Sequence, residues 1–164
     1  IHHLPDSTLL RKNDMVIIDL GVVFQGYASD MTRTVCLGKP TDRMREIYQC
    51  VALAQDRAFN LVRPGVTNRE LDTVAREVIS QAGHGRGYTH GLGHSIGLDT
   101  HDPGLHLSPR AAEVLLETGM TLTIEPGIYL DGEFGVRLED TIVNRHAGNE
   151  NLTNQSLDLL SLDL

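Results

Sequence analysis

The sequence predicts an α+β fold in which helices cover one side of a curved antiparallel sheet. Three observations carry this prediction. Strand-like runs rich in apolar and β-branched residues lie toward both ends: MVIIDLGVVFQGYASDMTRTV first, then TLTIEPGIY and FGVRLEDTIV. Two capped segments with apolar residues at helical spacing lie between them. The stretch HGLGHSIGLDTHD, which follows the helices, holds too much glycine to be a third one.

Taken in order, the first strands run from Met15 to Ile18 and on toward Val35, with a turn expected at Gly26-Tyr27 that brings Asp19 and Asp30 together. The first helix follows Thr41 and places Met44, Ile47, Val51, Ala54, Ala58, Leu61 and Val62 on one stripe before Pro64-Gly65 stops it. The second opens with a capping box from Thr67 to Glu70, buries Leu71, Val74, Ala75, Val78 and Ile79, and ends at Gly83. Arg43, Arg45, Glu46, Arg69 and Arg76 read as the solvated face of this pair, so neither helix is expected to face chemistry. In the glycine-rich stretch His90 and His94 are an even number of residues apart, which on a strand puts them on one face. A short helix is expected over 108–117, with Ser108 as cap and Pro109 in its first turn. Beyond Asn144 the chain turns polar and reads as a closing loop and edge segment.

The chain of 164 residues reads as one domain, residues 1–164, large enough to bury a core. Its formal net charge of −8, without any basic run to meet phosphates, argues against nucleic acid or an anionic membrane as the main partner. No apolar stretch approaches the length of a membrane span. Cys36 and Cys50 are too few for a disulfide scaffold and read as free thiols in a reducing compartment.

Asp19, Asp30, His94, Glu125 and Glu139 each sit in an apolar or glycine-rich stretch where an ionised group needs compensation. Singly, each is better read as structural: a turn former, a capped acid or a hydrogen-bonded histidine. Together they form an oxygen-rich set. Burying several carboxylates side by side costs several kcal/mol through desolvation and repulsion, and divalent cations offset both. Ligand hardness favours a pair of Mn, Co or Zn ions over a thiolate-held structural zinc. Arg137, two residues before Glu139, is placed to orient a carboxylate of the cluster or of a substrate.

These segments, IIDLG, GYASDMTRT, HGLGH with its following HD, IEPGIY and VRLED, resemble in order and spacing the pita-bread metallopeptidases of the Xaa-Pro aminopeptidase and Xaa-Pro dipeptidase (prolidase) branch. The resemblance spans essentially the whole chain and implies the pita-bread fold. It implies that Asp19 chelates one metal, that Asp30 and Glu139 bridge both, and that His94 and Glu125 complete the second. It also implies Mn as the metal, His2, His90, His101, Arg137 and Tyr129 as substrate-contacting residues, and Arg33 as a supporting one. His3 is then incidental. The implied reaction is hydrolysis of an Xaa-Pro bond by metal-activated hydroxide, with Glu125 as proton shuttle and His90, His101 and Arg137 assisting. The implied partner is a peptide with proline second, and the implied protein is a cytoplasmic homodimer.

Two departures stand out. Thr100 takes the place of the usual Ile or Val before the last histidine of the cluster, which keeps β-branching. Relatives also carry further N-terminal elements, so the chain reads as a C-terminal portion that starts one residue before His2. Competing readings are methionine aminopeptidase, a metal-free pita-bread binding module or inactive fragment, and an unrelated structural acid cluster. The complete ligand set argues against the last two.

Overall fold

The computed structural model describes residues 6–163. Threonine caps start both long helices. The Thr41 hydroxyl accepts from the Met44 amide at 3.2 Å at the head of α1 (Asp42–Leu61). At the head of α2 (Asn68–Gln81), Thr67 accepts from the Glu70 amide at 3.1 Å while Glu70 accepts from the Thr67 amide at 2.7 Å, the reciprocal box that the sequence predicts. Gly83, with φ of +85°, ends α2 in the left-handed conformation. The buried stripes Ile47, Val51, Ala54 and Ala58 on α1 and Leu71, Ala75 and Ile79 on α2 pack into one core with strand residues such as Leu122, Ile124, Val136 and Ile142. Each such Leu or Ile side chain contributes about 1.5–3 kcal/mol by leaving water.

The strands are β1 (Met15–Leu20), β2 (Val23–Phe24), β3 (Tyr27–Ala28), β4 (Met31–Leu37), β5 (Gly93–His94), β6 (His106–Leu107), β7 (Thr121–Ile124), β8 (Gly127–Leu130), β9 (Phe134–Arg137), β10 (Asp140–Arg145), β11 (Gly148–Asn151) and β12 (Ser161–Leu162). β4 lies between antiparallel β1 and parallel β12, and β10 lies between antiparallel β7 and β11. The closing segment thus supplies an edge strand, as its sequence suggests. A bridge between Thr32 and Glu139, with the Glu139 amide donating to the Thr32 carbonyl at 3.0 Å, ties the two three-stranded sheets together. That junction is where the acidic residues gather.

Three local expectations are corrected. The β2–β3 turn centres on Gln25 and Gly26, both with positive φ, and Tyr27 already belongs to β3. This is the two-residue hairpin geometry, which fits the right-handed twist of the strands it joins. Residues 108–117 form no helix. Instead, Val114 and Leu116 exchange backbone hydrogen bonds with the chain around Val66 and Asn68, and the Asn68 amide donates to the His106 and Ala112 carbonyls at 2.8 and 2.9 Å. The partners that a helix would provide internally are supplied by the start of α2. Finally, Arg76 is not a freely solvated side chain: it is 30% exposed and forks onto Asp72, whose side chain is 1% exposed.

Candidate metal centre and active site

Five elements deliver the acidic cluster. Asp19 sits near the end of β1, directly across from Thr32 of β4. Asp30 immediately precedes β4, its carbonyl accepting from the Thr141 hydroxyl at 2.8 Å. Glu139 lies between β9 and β10, and its carboxylate accepts from the buried Thr32 hydroxyl at 2.6 Å. Glu125 follows β7, its backbone amide donating to the Leu92 carbonyl at 2.8 Å. His94 is carried by β5, which can approach β7 only because residue 93 is glycine: a Cβ there would overlap the Thr123 carbonyl.

The side chains converge. Asp30, His94 and Glu139 each offer a ligand atom, all within 4.8 Å of one another. His94 Nδ1 lies 3.0 Å from the Ser95 carbonyl, a contact that only an N–H can make. Nε2 is then the lone-pair nitrogen, and it points at Glu125 Oε1, 3.4 Å away, and Asp30 Oδ2, 3.7 Å away.

Electrostatics show why this cluster needs a cation. Burial, then the neighbouring Glu139, pushes the Glu125 carboxyl up to about 9. Burial and Asp30 push Glu139 up to about 7, and burial followed by Asp19 raises Asp30. Burial lowers His94, which keeps its imidazole neutral and fit to ligate. Carboxylates that repel one another around a neutral imidazole are the donor set that a divalent ion compensates, so these residues fit a metal centre.

Arg137 meets Asp19 at 2.5 Å and the Tyr129 hydroxyl at 3.0 Å. Its 2.5 Å hydrogen bond to the cluster thus goes to the outer carboxylate, while Glu139 shares the Thr32 hydroxyl with it and feels its charge. The Tyr129 hydroxyl in turn reaches His90 Nε2 at 2.9 Å. His90 lies in the loop before β5, not on a strand shared with His94, since β5 has only two residues. His101 is exposed, its ring centroid 4.1 Å from that of His94. His2 lies outside the described residues. Arg33 backs the junction, pairing with Asp140 at 2.6 Å and donating to the Glu139 carbonyl at 2.7 Å.

Two clefts open onto the cluster. One, about 360 Å³, is lined by Asp19, Asp30, His94, Glu125 and Glu139; the other, about 470 Å³, holds His90, Arg137, His106 and Arg110. His94, His101 and Glu125 line both. Sequence reasoning missed Thr32, the hydroxyl that holds Glu139, and His106, which pairs across from His94 in the β5–β6 register. It also missed the Asp72–Arg76 pair, whose spacing of four on a helix was the available signal.

Residues 1–146 match the family model described as Metallopeptidase family M24. The chain belongs to metallopeptidase family M24. It is 40% identical over 162 residues to the Xaa-Pro dipeptidase of Pyrococcus horikoshii, covering 97% of this chain and 45% of that protein. It is 44% identical over 159 residues to the Xaa-Pro dipeptidase of Lactobacillus delbrueckii subsp. lactis, covering 96% of this chain and 42% of that one. The crystal structure of prolidase from Thermococcus sibiricus matches with a TM-score of 0.94 at 40% identity, over 98% of this chain and 43% of its own. That of X-Pro aminopeptidase from Thermotoga maritima matches with a TM-score of 0.92 at 38% identity, over 96% and 44%. The chain thus spans less than half the length of these M24 relatives. The predicted pita-bread α+β fold is borne out by these superpositions.

Proposed function

We propose that this M24 chain carries the catalytic site of a dinuclear-metal exopeptidase that hydrolyses the bond between a first residue and proline. The observation that supports this most is the convergence of Asp30, His94, Glu125 and Glu139 at one sheet junction, with Asp19 held beside them by Arg137. In this reading Asp19 would serve one metal ion, His94 and Glu125 a second, and Asp30 and Glu139, which lie between them, would serve both. Residues 1–164 act as a single catalytic unit. Bound divalent ions, Mn before Co or Zn, supply a water of lowered pKa and an electrophile for the peptide carbonyl.

The chain's own residues do the rest. Glu125, which would be ionised once it holds metal, takes a proton from the attacking water and hands it to the leaving proline nitrogen. That nitrogen has no proton of its own in the amide, so departure requires this transfer. His101 at the cleft wall hydrogen-bonds the carbonyl oxygen as it gains charge, and His90, whose ring nitrogens meet the Gly91 carbonyl and the Tyr129 hydroxyl, assists by fixing Tyr129 at the edge of the site. Tyr129 and Arg137 hold the geometry from behind, and His2 completes the substrate contacts. Arg137 already engages Asp19 and has a side chain only 3% exposed, so its service is orientation rather than gripping a substrate carboxylate.

The relatives carry both names, dipeptidase and aminopeptidase, and both remain within this proposal. Exposed Val22, Val23, Phe24 and Tyr27 support association as a homodimer. Free Cys36 and Cys50 support a reducing, cytoplasmic setting. Among the described residues no helix is long and apolar enough to cross a membrane.

The test is hydrolysis of Gly-Pro and of an Xaa-Pro-Xaa tripeptide by the Mn-supplemented chain, with an otherwise identical Xaa-Ala substrate as control. Proline-directed cleavage supports the reading, and the preferred peptide separates dipeptidase from aminopeptidase. Metal uptake without cleavage of any of them contradicts the peptidase assignment for this chain.

A further inference from the structure

The backbone around residues 88–92 meets both halves of the site, and one ion pair on α2 grips it. The Arg76 guanidinium forks onto Asp72, with Nε and Nη2 each 2.9 Å from a carboxylate oxygen. The same guanidinium donates to the Tyr88 carbonyl at 3.1 Å and to the His90 carbonyl at 2.8 Å, and it lies 4.2 Å over the Tyr88 ring. Asp72 Oδ1 also accepts from the Leu92 amide at 3.1 Å. Leu92 then passes the constraint on, its carbonyl accepting from the Glu125 amide at 2.8 Å and its amide also reaching the Leu107 carbonyl at 2.6 Å.

The constraint also sets the His90 ring. Nδ1 lies 2.7 Å from the Gly91 carbonyl, so Nδ1 carries the proton and Nε2 accepts from the Tyr129 hydroxyl at 2.9 Å. The Nδ1 contact exists only while the Gly91–Leu92 peptide, whose amide Asp72 holds, keeps its present orientation. A Cβ at Gly91 would crowd the Leu107 carbonyl, 2.6 Å from where it would stand, so this peptide has little room to turn and still seat a larger residue.

We propose that the Asp72–Arg76 pair is the positioning device of the site: by clamping the 88–92 backbone it fixes the His90 imidazole and the backbone from which Glu125 projects. Neither residue touches the clefts; both act through His90 and Leu92. The kinetic consequence rests on the peptidase reading above, whereas the geometric one does not. Arginine is required because a single ammonium cannot hold two carboxylate oxygens and two carbonyls at once. A helix that the sequence assigns to a bland apolar role thereby acquires a part in the chemistry.

The experiment compares wild type with Arg76→Lys and Asp72→Asn, and uses Arg43→Ala, which breaks an exposed ion pair with Glu133, as control. Asparagine keeps an acceptor for the Leu92 amide while removing the charge, so it is the variant better placed to fold. Three quantities are read: the imidazole nitrogen resonances of His90, assigned by their loss in His90→Asn; Mn binding; and kcat and KM on Gly-Pro.

Both variants are expected to move the His90 resonances and to lower kcat roughly 10- to 100-fold, with KM and Mn affinity changed by no more than about 3-fold. Arg43→Ala should leave all three quantities unchanged. Unmoved His90 resonances in a folded Arg76→Lys or Asp72→Asn protein overturn the proposal, whatever happens to kcat. If wild type cleaves neither Gly-Pro nor the Xaa-Pro-Xaa tripeptide, the peptidase reading fails, and the resonances alone still decide whether the clamp positions His90.

Discussion

Replacing Glu139 with glutamine should stabilise the metal-free chain at alkaline pH. Glu139 is 2% exposed, and its carboxylate accepts from Thr32 at 2.6 Å, a bond that an amide oxygen can keep. Burial and Asp30 raise its carboxyl from 4.5 to about 7. A carboxyl with a higher pKa in the folded state holds its proton more tightly there. Its effect on stability is therefore most favourable below 4.5, declines as pH rises toward 7, and is flat above. The interval from 4.5 to about 7, at about 1.4 kcal/mol per pH unit, corresponds to about 3 kcal/mol of lost stability.

Glu139→Gln removes that loss. The variant should therefore exceed wild type by about 3 kcal/mol at pH 8 and by close to nothing at pH 4. For a chain of this size the gain corresponds to a Tm higher by roughly 6–12 °C. The assay is thermal and urea unfolding of both proteins after chelation, at the two pH values. A variant no more stable than wild type at pH 8, or equally favoured at both pH values, refutes the argument that this cluster is electrostatically strained in the absence of metal.

Other outcomes follow from the same geometry. Adding Mn to the chelated chain at pH 7 should raise Tm and release roughly one to two protons, because Glu125 and Glu139 must ionise to ligate; calorimetry in buffers of different ionisation enthalpy measures the release. Glu125→Gln should preserve the fold by circular dichroism and abolish turnover, whereas persistent turnover removes Glu125 as proton shuttle. Gly93→Ala, whose Cβ would overlap the Thr123 carbonyl, should destabilise by about 1–3 kcal/mol in urea unfolding and weaken Mn binding by displacing His94. Thr67→Ala should cost about 1 kcal/mol by removing the α2 cap, with Mn affinity unchanged; a matching loss of affinity would mean that α2 frays as far as Asp72.

The sequence disclosed the parts of this structure whose signals are local. Both helices could be read to within a residue or two, because Thr41, Thr67 and Gly83 mark their ends and Ile47, Val51, Leu71 and Ile79 mark their faces. The acidic residues could be picked out because each interrupts an apolar run. What could not be read depends on long-range partners. Residues 108–117 carry a helix-start pattern, yet Asn68, some 40 positions earlier in the chain, satisfies their backbone instead. Arg76 looks like an ordinary surface arginine until the 88–92 loop folds over it. Thr32 gives no local hint that it will face Glu139 across the sheet junction, 107 residues away. Arg137 could be assigned to the site, but its hydrogen bond to Asp19 depends on how β1 lies beside β9.

The most direct test of the central claim is metal stoichiometry after Mn reconstitution, measured by elemental analysis on wild type beside Asp30→Asn and His94→Ala. Five ligands around two ions predict about two Mn per wild-type chain and about one or none in each variant, with circular dichroism unchanged. Wild-type protein without bound Mn, or variants that retain the full wild-type complement, would contradict the assignment of Asp19, Asp30, His94, Glu125 and Glu139 as the metal centre.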